Sequence, residues 1–181
     1  MISMLRKEFP FKISVAGCSS VSISKILHNY QVKQSRNHVS RPQYEMKLDI
    51  NNVSVRLHLK QLLLENRFTT SRLRDFQGSI GMIYIFEKNK SECFNEVKID
   101  YLIFEDLYKT VEIQPNFLSV DTGEEKGITA QILEELSKLK ITNQILELKE
   151  NNSFAQIIKS ILSKSKTFQS TTQGSCDINL E

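Results

Sequence analysis

Residues Phe11 to Ile26, FKISVAGCSSVSISKI, are spaced for phosphate chemistry. A short apolar run, a turn of small residues opening at Gly17 and a helical stretch follow the length of G-x-x-x-x-G-K-[ST]. In that motif backbone N–H groups wrap a phosphate, the lysine neutralises its charge and the closing hydroxyl meets Mg²⁺. Here Gly17 keeps the first glycine and Ser24 the closing hydroxyl. Ser22 stands at the second glycine and puts a side chain where the backbone should come closest. Ile23 stands at the lysine and cannot neutralise anything. The layout therefore predicts a strand, turn and helix whose grip on phosphate is removed. Ser24 is at most a metal ligand, and a serine near a helix start is more often a cap.

No other cluster of chemistry-bearing residues competes with this loop. Cys18, Cys93 and Cys176 are far apart and odd in number, so neither a zinc site nor a disulfide framework is expected, and a reducing cytosol is the simpler setting. His28, His38 and His58 lack metal spacing. A net charge of +3, spread along 181 residues, gives no basic patch for nucleic acid. No apolar run is long enough for a membrane span, and the first ten residues lack the apolar core of a signal peptide.

The elements that must position the loop alternate along the chain. Lys12–Ala16 reads as a buried strand and Ser22–Tyr30 as an amphipathic helix, with Ile23, Ile26 and Leu27 inward. Residues 31–42 are polar, aperiodic and read as a loop. Tyr44–Ile50 and Val53–Leu59 alternate on either side of Asn51-Asn52, the pattern of a two-residue hairpin. Residues 65–77 read as an irregular helix. Ser79–Phe86 is apolar throughout and reads as a strand buried on both faces. A long helix is expected over Ser91–Lys109, then a strand over Ile113–Val120 interrupted by Pro115. A helix capped by Thr129, a short strand over Gln144–Leu148 and a last helix capped by Ser153 follow. This order predicts an α/β fold: a six-stranded, mostly parallel sheet with one antiparallel edge strand and helices on both faces. Ligands of such sheets bind at the carboxyl ends of the strands, where Gly17, Gln61, Asp121 and Lys149 would fall.

The order and the spacing of these segments resemble the small GTPases of the Ras superfamily, the Rab branch most of all. RLHLKQLLLENRF, Arg56 to Phe68, lines up without a gap on the Rab-type stretch KLQIWDTAGQERF. TTSRLRDFQGSIGMIYIFEKNKSECFNEVK continues it, with Gly78, Gly81, Ser91 and Phe94 on family-typical positions, and ILELKENNSFAQIIKSIL resembles the segment around ETSAKENN. The resemblance implies an N-terminal extension over residues 1–10, a small-GTPase fold of the P-loop NTPase class over 11–164, and a disordered tail over 165–181. It also identifies what has changed. The metal-associated Asp has become Gln61, the γ-phosphate glycine Leu64 and the water-positioning Gln Glu65. The base-reading motif falls on Leu118-Ser119-Val120-Asp121 and keeps only its Asp; the SAK motif keeps only Lys149. Ser40 is the nearest hydroxyl to the switch threonine.

The implied reading is a Rab-like pseudo-GTPase: a protein-binding scaffold in membrane trafficking or a related assembly, with weak or absent GTP binding and no catalytic residue. Residual nucleotide contacts would come from Gly17, Ser22, Ser24, Asp121 and Lys149. No cofactor is expected, or GTP/GDP with Mg²⁺ if binding survives. Effector-like proteins would dock on the switch-equivalent surface at Leu63, Leu64, Arg67 and Phe68, although the leucines could equally fill the vacated pocket. The alternative is a divergent, active GTP-hydrolysing switch in vesicle transport. Cys176 lies outside any terminal prenylation pattern, so no lipid anchor is expected, and the protein would be cytoplasmic, reaching endomembranes through partners.

Overall fold

The computed structural model describes residues 8–18, 23–29, 33–34, 43–50, 53–62, 64, 69–113, 115–120, 128–139, 145–147 and 154–170. Seven strands and five principal helices run in the order β1 (Glu8–Gly17), α1 (Ile23–Asn29), β2 (Lys33–Gln34), β3 (Gln43–Ile50), β4 (Val53–Leu62), α2 (Thr69–Phe76), β5 (Ser79–Glu87), α3 (Ser91–Thr110), β6 (Pro115–Val120), α4 (Ala130–Lys138), β7 (Ile145–Glu147) and α5 (Phe154–Lys164). They build one sheet ordered β2-β3-β4-β1-β5-β6-β7. Strands β4, β1, β5, β6 and β7 pair in parallel, while β3 runs antiparallel to both neighbours. The mixed α/β architecture and mostly parallel sheet agree with the expectation. The strand count does not: among the described residues the sheet has seven strands, not six, and the antiparallel strand is β3, inside the edge. The added edge strand, β2, is two residues long and pairs Lys33 with Glu45, too short for any periodicity to announce it.

The alternation within β5 explains why the sheet is covered on both faces. Ile83 and Ile85 point into one core with α1 and α5, while Met82, Tyr84 and Phe86 point into the other with α2, α3 and α4. Such a strand reads as a continuous apolar run because both faces are dry. Gly81 lets α5 come close: a Cβ there would lie 3.2 Å from Ile161 Cγ2.

Three boundaries differ from the sequence reading. Strand β1 begins at Glu8, so part of the presumed N-terminal extension belongs to the sheet; Pro10 is accommodated because β1 is paired only with β4 there, β5 joining from Lys12. Pro115 opens β6 instead of interrupting it, since a first residue needs no ladder donor. Residues 166–170, assigned to the tail, are helical, and Phe168 is buried against Phe11 with ring centroids 5.3 Å apart. That single aromatic anchors a polar run whose composition resembles disorder. Residues 51–52, Ser153 and the chain after 170 lie outside the described residues, although the Ile50–Val53 pairing fits a two-residue connection.

Candidate functional site

The chain moves from β1 out to β2–β4 on one side, then crosses to β5–β7 on the other. The carboxyl end of β1 is therefore the point where strand order reverses, and doubly wound sheets carry their ligands there. Gly17 ends β1, level with Ile85 of β5, and Ala16 pairs with Leu62 at the end of β4. Ile23 begins α1 directly after the loop.

At this crevice the replaced residues have turned inward. Ile23, at the lysine place, is buried in the core shared by α1 and α5. Leu118, at the place of the base-reading asparagine, is fully buried in the same core, and Ser119 beside it is also buried. Leu62 and half-buried Leu64 pack against the core of α2, α3 and α4. Of the proposed docking residues Leu64 alone is described, and it packs half-buried against that core. Leu63, Arg67, Phe68, Ser22, Asp121 and Lys149 lie outside the described residues, as do Ser40 and Glu65.

Ser24 and Gln61, the two positions that the resemblance would place beside a metal, are brought to one group that the sequence did not single out. Tyr44 is buried on β3, and its hydroxyl donates to Gln61 Oε1 at 3.4 Å. The same oxygen takes a hydrogen bond from Ser24. Burial raises the Tyr44 pKa, and the Ser24 bond opposes that shift. A tyrosine hydroxyl thus ties together the serine and the glutamine where a cation would need a hydroxyl and a carboxylate. This donor set does not fit a magnesium triphosphate: an amide replaces the carboxylate, an isoleucine replaces the lysine, and the side chains present are engaged with each other. Among the described residues no group of three or more His, Cys, Asp or Glu could hold a metal.

On its other side the crevice carries two features that sequence reasoning missed. Cys18, the first loop residue after Gly17, is joined by a disulfide to Cys93 in the first turn of α3, with Cα atoms 5.2 Å apart. This corrects the expectation that the cysteines form no disulfide. The pair is 75 residues apart in sequence; only the adjacency of β1 and β5, with α3 following β5, brings the two together. The Cys93 sulfur also accepts from the Glu87 backbone N–H at 3.2 Å. Glu87 itself, at the carboxyl end of β5, is buried with its carboxylate 2.7 Å from Lys90 Nζ. The crevice therefore carries a disulfide just past the end of β1 and a paired acid at the end of β5.

Comparison with models of known protein families finds no match, and comparison with curated proteins finds none either. Among the described residues no helix is long and apolar enough to cross a membrane.

Proposed function

We propose that this chain is a Rab-like small-GTPase-fold protein that has become a pseudo-GTPase, a protein-binding scaffold with weak or absent guanine-nucleotide binding. The observation that carries the reading is the Ser24–Tyr44–Gln61 cluster: the metal-side positions hold each other through a phenol. The strand order, with its reversal at the end of β1, is compatible with a P-loop-type α/β fold. The inward packing of Ile23 and Leu118 further supports the loss, because the lysine and asparagine of a nucleotide site would have to face the crevice. Each charge-assisted contact removed is worth about 1.5–3 kcal/mol, so losing several ends nanomolar affinity. Endomembrane trafficking is the setting that the Rab resemblance suggests, and partners would carry the protein there.

Two measurements test this. Mass spectrometry of the purified native protein should find no co-purifying GDP or GTP. Titration with a fluorescent GTP analogue and Mg²⁺ should give no saturable signal below micromolar protein. Tight, Mg²⁺-dependent binding would overturn the proposal.

A further inference from the structure

The Cys18–Cys93 disulfide joins the first residue after β1 to the first turn of α3, at the carboxyl end of the sheet. The fold around it stands on other contacts. Backbone ladders hold β1 to β4 as far as Ala16 and to β5 as far as Gly17, and apolar cores fill both faces of the sheet. A chain of 181 residues buries enough apolar surface to fold without a covalent staple. What the bond adds is a tie between layers: it fixes Cys18, whose backbone N–H reaches Ile85 O at 3.4 Å, to the helix above the sheet.

The environment of the Cys93 sulfur favours a thiolate. Cys93 lies at the amino end of a 20-residue helix, whose N–H groups and dipole attract negative charge. The Glu87 backbone N–H also donates to its Sγ at 3.2 Å. Of the nearby acids, Glu87 is bridged to Lys90 at 2.7 Å, and Glu92, in the same turn, is exposed to water, which weakens its field. A disulfide whose reduced form is stabilised in this way is given up more readily, and the sulfur of lower pKa is the better leaving group. Disulfides of that kind are transient and regulatory, in contrast to the permanent staples of oxidising compartments.

We propose that Cys18–Cys93 is a redox latch: oxidised, it locks the end of β1 to α3, and a thiol reductant such as glutathione opens it. A reductant thiolate attacks Cys18 Sγ, the bond between the two sulfurs breaks and Cys93 leaves as a thiolate. A second reductant thiol then displaces Cys18 from the mixed disulfide. The protein gains two electrons and two protons, and the reductant departs as its own disulfide. Both cysteines are 2% exposed, so attack proceeds through local opening at the end of β1. Reduction frees Cys18 from α3 while Cys93 keeps its donors, which gives the crevice a locked and an unlocked form. The proposal goes beyond the scaffold reading and does not rest on the loss of nucleotide binding.

The test equilibrates the native full chain with glutathione buffers from oxidising to reducing, quenches with acid and tags free thiols for mass spectrometry. Cys18 and Cys93 should become half reduced within that range, together, while circular dichroism stays native. Quenched early, the protein should carry glutathione on Cys18. By NMR the Cys18 amide should exchange about tenfold faster or more in the reduced protein, with the Glu87 and Ile83 amides changing less than about twofold. C93S should show the same fast exchange at position 18 with no reductant added, and C176S should titrate as wild type does. A pair that stays oxidised in every glutathione buffer and opens only on unfolding is a permanent staple, and overturns the proposal. So do cysteines that stay reduced in the most oxidising buffer, glutathione found on Cys93 in place of Cys18, or a Cys18 amide whose exchange reduction leaves unchanged.

Discussion

Replacing Arg72 by methionine should cost more stability than any exposed charge change in this protein. Arg72 on α2 bonds through Nη2 to Asp100 Oδ1 on α3, and both side chains are 1% exposed. The guanidinium lies 4.5 Å from the Phe104 ring centroid. Tyr84 donates to the other carboxylate oxygen of Asp100 at 2.5 Å, so the Tyr108 hydroxyl must donate to Tyr84. R72M strands a carboxylate in an apolar layer without its cation, a change worth about 3–5 kcal/mol. At about 2–4 °C per kcal/mol for a chain of this size, the midpoint should fall by roughly 6–20 °C. Circular dichroism melts and urea titrations give the comparison. D100N keeps an oxygen for Tyr84, so R72M/D100N should lose less than the two single changes added, with a coupling of about 1–3 kcal/mol. A single-variant loss below about 1 kcal/mol, the range of exposed pairs, would refute the buried network.

Burial raises the Tyr84 and Tyr108 pKa values, in Tyr84 with help from Tyr108 and Asp100. The folded state then holds these protons more tightly, so stability is intact below about pH 10, the unfolded value, and falls as pH rises beyond it. Absorbance at alkaline pH should show both phenols ionising only as the fold is lost; ready titration in the folded protein would contradict this. Reduction of the Cys18–Cys93 disulfide reopens a 75-residue separation, and the chain-entropy argument sets about 4.5 kcal/mol as the upper stability loss. Thiol counting under non-reducing, denaturing conditions should find one of the three cysteines free; three free thiols would rule out the bond. G81A should cost about 1–3 kcal/mol, because its Cβ meets Ile161 at 3.2 Å inside a packed core; an unchanged urea midpoint would show that α5 yields there.

Elements with strong periods were readable from the chain. The β3–β4 alternation, the apolar run of β5, the length of α3 and the Thr129 cap, whose Oγ1 accepts from Ile132 N at 3.4 Å, match the sequence expectations. The features that define the crevice were not readable, because each is a long-range product of sheet order. Cys18 meets Cys93 across 75 residues, and Tyr44 reaches Gln61 only because β3 folds back on β4. Asp100 reads as an ordinary helix acid until Arg72 and Tyr84 close on it. Phe168 was hidden by its polar neighbours, since composition averages over the one side chain that packs.

The replaced positions share a direction, and that matters more than their number. A phosphate site needs side chains and backbone that stay polar, open and unpaired until the ligand arrives. Ile23 and Leu118 instead complete the α1–α5 core, Leu62 and Leu64 complete the opposite one, and Ser24 and Gln61 meet at a buried phenol. Introducing one polar group would therefore not make a phosphate site here. A lysine in place of Ile23 would put an ammonium into an apolar core, a cost of several kcal/mol before any phosphate is met. Any restoration of a phosphate site would therefore have to be concerted across both layers of the fold.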